Sequence, residues 1–292
     1  MKRVLLSLLI IAAPAEAQLV MRLERVSERI AVISGYANGN ILVVAGTGGV
    51  LLVDGQSARR VALADSALRT FSAEPVRLVV NTHYHDDHTE GNAFWRQRGA
   101  RVMAHRNVPV QAAKDTTIPE MEWDRNPRAA DAMPDSTFTD SMEVTVSGVL
   151  VRAIHIPPAH TDGDVIVWLP NNDIVHTGDL IETEAFPFID WWAGGSLGGM
   201  IAAIDALLAR GGQATRYVPG HGPIVGRAFL ETQREMLVTM GRRIRDAINA
   251  GQTLEQVQAA RPTQDYEARL GFSERSGRQF TRVLYLGLLR SR

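Results

Sequence analysis

Residues 81–92, reading Asn-Thr-His-Tyr-His-Asp-Asp-His-Thr-Glu-Gly-Asn, constrain this chain more than any other stretch. His83, His85 and His88 stand with Asp86 and Asp87 within six residues, just after the run Val76-Arg77-Leu78-Val79-Val80. That run is short and β-branched, as a buried strand is, so the cluster falls on a loop at a strand's end. There side chains can converge without breaking a backbone ladder. Packing alone gives no reason to crowd so much desolvation cost together. Imidazole and carboxylate are the donors that suit zinc where thiolate is lacking. His83 and His85 point the same way from an extended segment, and Asp87 and His88 follow where the chain turns toward a helix. One such loop can serve two adjacent metals.

Two metals need more ligands than one loop holds, so each further ligand should follow another strand-like run. Three residues do. His160 lies in Pro157-Pro158-Ala159-His160-Thr161-Asp162-Gly163-Asp164, after the run 149–156. Asp179 lies in His176-Thr177-Gly178-Asp179, after Asp173-Ile174-Val175, and His221 lies in Val218-Pro219-Gly220-His221-Gly222-Pro223. With these motifs in order from Asp54 to His221, the chain resembles the metallo-β-lactamase superfamily, whose pattern is His-x-His-x-Asp-His, His, Asp or Cys, then Gly-His. The resemblance implies two Zn2+ per chain. His83, His85 and His160 would hold the first, Asp87, His88 and His221 the second, and Asp179 would bridge them. Three neutral imidazoles leave zinc an open position, and zinc lowers the pKa of bound water from 15.7 to about 7. Asp87 would both ligate and aim the resulting hydroxide, which makes it the expected catalytic residue. Flavodiiron relatives place a glutamate where this chain has His85 and carry an added flavin domain, so zinc is favoured over iron.

Asp54 has two readings: a strand-end cap, or the carboxylate that takes the outer N–H of a metal-bound imidazole. Asp86 is expected to face solvent or the neighbouring chain. His105, His155 and His176 have no place in the pattern and are expected to be structural.

At 292 residues and 45% hydrophobic content the chain can bury one large core. Cysteine is absent, which excludes disulfides and a thiol nucleophile. Lys2 and Arg3, an apolar run over 4–13 and Ala15-Glu16-Ala17 have the form of a signal peptide, residues 1–17. Cleavage would leave one domain, 18–292, periplasmic or secreted, with no membrane segment. It would also move the formal charge from −1 to −2. No basic footprint for nucleic acid is present. A small-molecule substrate is expected, with a monomer as the default.

The pattern predicts strands over 29–33, 40–45, 50–53, 76–80 and 101–104, with helices over 57–71 and 89–98. Hairpins are expected around Gly48-Gly49, Ser147-Gly148 and Pro170-Asn171-Asn172. A helix over 197–210 and a strand over 216–218 repeat the plan. The implied architecture is α/β: an αββα sandwich of two mixed sheets with outer helices. Helices over 226–250, 253–260 and 272–290 form a helical extension, 227–292, of the same domain. Residues 119–134 form a long loop with Trp123, Met121 and Met133, of the kind that lines a site.

The expected reaction is β-lactamase-like hydrolysis of a cyclic amide or ester. Two departures stand against it. Asp179 replaces the cysteine ligand of the exported β-lactamases, and Glu182 replaces a lysine that receives the drug's carboxylate. A lactonase or glyoxalase II-like thioesterase is the alternative, and a zinc-binding protein without turnover is the reading from another class. Glu182 and Trp123 are the candidate substrate contacts.

Overall fold

The computed structural model describes residues 21–35 and 38–290, and the expected signal peptide lies outside them. The apolar runs of the first half form one sheet. β1 (Arg22–Arg25), β2 (Ile30–Gly35), β3 (Asn38–Gly46) and β4 (Gly49–Val53) pair antiparallel in that order. The β3–β4 turn passes through Thr47 and Gly48, whose φ of 89° suits glycine. β5 (Val76–Val80) and β6 (Arg101–His105) then add in parallel. A ribbon of β7 (Thr116–Ile118) and β8 (Trp123–Arg125) intervenes before β9 (Ser136–Phe138) closes the far edge. The second half repeats the scheme. β10 (Ser141–Val146), β11 (Val149–His155), β12 (Val165–Leu169) and β13 (Ile174–Glu182) are antiparallel, and β14 (Arg216–His221) joins β13 in parallel.

Alternation along the strands explains the layers. Ile30, Val32, Leu42, Val44, Leu51 and Val53 meet Val151, Val165, Val167 and Val218 between the sheets. The residues between them in the sequence face outward. Ala31, Ile33, Val43 and Leu52 pack under Val61, Ala64 and Leu68 of α1 (Val61–Arg69) and under Trp95. A sheet buried on both faces needs apolar residues at successive positions, which is how these strands read. The short helices α2 (Asp86–Thr89), α3 (Asn92–Arg96) and α4 (Asn107–Ala112) follow β5 and β6. Behind the second sheet lie α5 (Leu197–Arg210), α6 (Arg227–Asn249), α7 (Leu254–Ala259), α8 (Gln264–Leu270) and α9 (Glu274–Arg290). On α6, Leu230, Met236, Leu237, Met240 and Ile244 are all buried, against Met200, Ile204 and Leu207 of α5 and Phe280 and Leu284 of α9. Each such side chain contributes about 1.5–3 kcal/mol by burial. This is the expected αββα sandwich, with the C-terminal helices packed into the layer behind the second sheet.

The structure corrects several boundaries. The helix expected over 57–71 starts only at Val61, because Asp54 and Gln56 take φ of 72° in a turn that doubles back first. The helix expected over 89–98 is broken at Gly91. There the backbone docks on the Asp54 turn, Gly91 N donating to Gln56 O at 2.6 Å. The strand expected to end at Val175 runs on to Glu182, kept in the sheet by irregular registers around Gly178. Asp179 and Glu182 therefore stand on a strand and not on a loop. Helix α8 and the β7–β8 ribbon were not anticipated.

Candidate metal centre

Both sheets present the C-terminal ends of their parallel strands to the same edge, and the polar loops gather there. After β5, Asn81 folds the chain back, its amide donating to His88 O at 3.0 Å while its carbonyl oxygen accepts from Asn92 at 2.8 Å. Helix α2 opens at once, with His88 N and Thr89 N both donating to His85 O. On the opposite sheet, Asp164 holds the His160 loop. Its buried carboxylate accepts from His160 N at 2.7 Å and from Thr161 Oγ1 at 2.6 Å, and burial pushes its pKa up to about 7.

Two groups of potential ligands result, and each has ligand atoms within 4.8 Å of one another: His83, His85, His160 and Asp179, then Asp87, His88 and His221. In the first, His160 Nε2 lies 3.1 Å from His85 Nδ1, and Asp179 Oδ2 lies 3.7 Å from both His83 Nε2 and His160 Nε2. In the second, Asp87 Oδ2 lies 3.1 Å from His221 Nε2 and 3.5 Å from His88 Nε2. Asp179 also reaches this group, at 3.4 Å from His88 Nε2 and 3.6 Å from His221 Nε2. It thus stands between the two.

The outer faces of four imidazoles are held from behind. His88 Nδ1 donates to Asp54 at 2.8 Å. His83 Nδ1 donates to Thr82 Oγ1 at 3.0 Å, and that hydroxyl donates to Asp54 at 2.9 Å. His160 Nδ1 donates to Phe188 O at 2.7 Å, and His85 Nε2 to Asp190 at 3.2 Å. A nitrogen that donates outward leaves its partner nitrogen as a lone-pair donor pointing inward. Nε2 of His83 and of His88 and Oδ1 of Asp179 are buried and have no hydrogen-bond partner among the described residues. Inward lone pairs left without partners, at these spacings, fit a metal ion.

Charge follows the same division. Burial, then the positive field of His88, holds His83 well below its usual pKa, and burial with His85 brings His160 to about 4. Burial would depress His88 too, but Asp87, Asp179 and Asp54 push it up to about 9. His88 and His221 hold the Asp87 carboxyl well below the usual range against its burial.

All seven expected ligands meet at one place, and Asp54 is both a strand-end residue and the partner of His88. Asp190, Thr82 and the Phe188 carbonyl were missed. Asp190 is fully buried in a loop of aromatic residues, and no spacing rule marks it. Asp86 pairs with Arg128. His105 and His155 stack on each other at 3.7 Å, and the buried His176 accepts from Gly178 N, so none of the three joins either group. Beside His85 opens a cavity of about 440 Å3 lined by Asp86, Asp87, Met121, Trp123, Phe188 and Gln279, among others. Trp123 is there as expected. Gln279 of α9 is there too, so the helical extension reaches the cleft. Glu182 pairs across the sheet with His221, and burial pushes its carboxyl up to about 7.

The family model of the metallo-beta-lactamase superfamily matches residues 35–227. The chain belongs to this superfamily. Its members are metal-dependent hydrolases that act on small molecules. A metallo-beta-lactamase type 2 of Bacteroides fragilis is 22% identical over 162 residues, 56% of this chain and 59% of that one. A linear primary-alkylsulfatase of a Pseudomonas species is 27% identical over 221 residues, 63% of this chain and 41% of that one. The chain thus spans about half the length of these relatives. A solved metallo-beta-lactamase from Pontibacter korlensis shares the fold. Its TM-score is 0.62 at 22% identity, and the match covers 75% of this chain and 99% of that one.

Proposed function

We propose that this chain is a dinuclear zinc hydrolase, β-lactamase-like, that opens a cyclic amide or ester at its carbonyl. One observation carries the reading: two adjacent groups of inward-facing ligand atoms both place imidazole nitrogens within 3.7 Å of the Asp179 carboxylate. His83, His85, His160 and Asp179 would hold one ion, and Asp87, His88, His221 and Asp179 the other. Bound zinc supplies a water acidic enough to lose its proton near neutral pH, and a Lewis acid for the carbonyl. The chain's own residues do the rest. Asp54, Asp190 and the Phe188 carbonyl fix the imidazole tautomers. Asp87 lines the cleft and is held ionised by His88 and His221, so it can accept a hydrogen bond from the attacking water and orient it. Trp123 and Phe188 wall the cleft beside His85 and exclude water.

Glu182 favours a second substrate choice at the same site. A carboxylate beside His221, where a lysine would attract an acidic drug, suits an uncharged lactone or thioester better. We further propose that residues 1–17 are removed on export to the periplasm or medium, and that 18–292 act as one domain and as a monomer. Metal analysis of chelator-free protein should give about two zinc ions per chain, as two complete ligand groups require. The loaded protein should hydrolyse at least one of a lactam, a lactone and a thioester. One zinc or fewer after supplementation, no turnover of any of the three, or turnover of an alkyl sulfate alone, would refute the proposal.

A further inference from the structure

We propose, resting on the reading above, that the cleft selects amphiphilic substrates with an apolar, preferably aromatic, group at one end and an uncharged or cationic group at the other, and discriminates against carboxylates. The apolar end is built. Around His85 the rings of Trp123 and Phe188 stand at 5.7 and 6.0 Å, and at 5.9 Å from each other, so three rings bound one side of the cavity. Met121 adjoins them, and Gln279 adds a polar amide from α9. An aromatic ring fits between faces and edges at such spacings.

The lining carries no cation. Asp86, Asp87 and Glu122 stand in the same cavity as the rings, and among the described residues no lysine or arginine lines it. Arg125 and Arg128, which adjoin Trp123 and Asp86, are directed elsewhere. Arg125 is buried, stacks on Tyr84 and Trp123, and donates to Gln111. Arg128 pairs with Asp86 and Glu90. His85 belongs to the first ligand group and His221 to the second, and beside His221 the half-buried Glu182 ends β13. Its Oε1 accepts from Glu184 N at 3.0 Å, which fixes the carboxylate in place. A substrate whose scissile group lies over the ligands therefore extends from the Trp123–Phe188 wall toward Glu182. A cation there meets a fixed opposite charge in a partly dry site, and a carboxylate meets a like one.

The test uses the zinc-loaded full chain at pH 8. Three phenylacetate esters with alcohols of equal length, ending in a methyl, a carboxylate or a trimethylammonium group, are compared by kcat/KM. The ammonium and methyl esters should exceed the carboxylate by about tenfold or more, the value of one charged contact. Glu182→Gln should flatten the series and Glu182→Lys reverse it. Trp123→Ala should slow all three and remove the advantage of phenylacetyl over acetyl esters. Calorimetry supplies a second readout without turnover. 4-Phenylbutyltrimethylammonium should bind more tightly than the methyl ether of 4-phenylbutanol, and Glu182→Gln should abolish the difference. A series equal within about twofold, no larger than the scatter of an exposed ion pair, overturns the inference even if zinc content and hydrolysis are as proposed. Failure of hydrolysis with the binding difference intact overturns the functional reading and leaves the inference standing.

Discussion

Replacing Asp190 with alanine should weaken both metal affinity and the fold, and Tyr84→Phe separates the two effects. Its carboxylate is fully buried and accepts from three donors: the Tyr84 hydroxyl, His85 Nε2 at 3.2 Å and Ala193 N at 3.0 Å. Burial opposes its ionisation, yet His85 and Tyr84 hold its pKa below the ordinary value. Truncation leaves the buried Tyr84 hydroxyl without its partner, at a cost of about 1–3 kcal/mol. Each kcal/mol lowers Tm by about 2–4 °C in a chain of this size. The second effect is on the metal. Without an acceptor for Nε2, His85 loses the bond that presents Nδ1 inward, and such losses cost about 10–100-fold in metal affinity. Chelator competition reads that affinity, thermal melting of the metal-free protein reads the fold, and the visible spectrum of the cobalt-substituted protein reads ligand geometry. Tyr84 and His85 both donate to one oxygen of Asp190, so the single oxygen of Asp190→Asn can accept from both, and Tm and zinc affinity should recover together. Tyr84→Phe leaves the carboxylate on His85 and should leave zinc affinity within about threefold, well short of a lost ligand support. If Tyr84→Phe weakens zinc as much as Asp190→Ala does, or Asp190→Ala leaves affinity unchanged, the positioning argument is wrong.

Two further outcomes are expected. Asp87→Ala removes a ligand and the hydrogen-bond partner of the attacking water, so turnover should fall by about 10²–10⁴-fold. Circular dichroism should stay native, and near-native turnover would contradict the assigned role. Gly91→Ala places a Cβ 2.1 Å from Gly55 O, a backbone atom that cannot swing away. It should destabilise the fold by about 1–3 kcal/mol in urea denaturation, and an unchanged midpoint would mean that the Asp54 turn yields freely.

The sequence made the sandwich legible because strands buried on both faces must be apolar at nearly every position, as in β3, β4 and β12. Four of the seven side chains that gather at the site were legible because His-x-His-x-Asp-His concentrates rare residue types in one loop, and His160, Asp179 and His221 because each stands near the end of a strand-like run. What it hid depends on tertiary contact. The end of β13 carries His176, Thr177, Gly178 and Asp179, which look like a loop, yet β14 pairs with them through bulged registers. The break at Gly91 arises from a backbone docking 35 residues after Gln56, invisible to helical periodicity. Asp190 is one acid in an aromatic loop, and only the folded chain brings it to His85 and Tyr84.

The first sheet is complete at Phe138 and the second begins at Ser141. Neither half of the chain contains a full ligand group: His83, His85, Asp87 and His88 precede that junction, and His160, Asp179 and His221 follow it. An ion held by either group is therefore a crosslink between two half-sandwiches, closing in one case a span of 75 residues from His85 to His160. The docking equilibrium of the halves then contains the free concentration of metal. At a given temperature, metal scarcity would act on this protein as a loosening of one internal seam. The two halves would part along their shared apolar layer while each sheet kept its own helices.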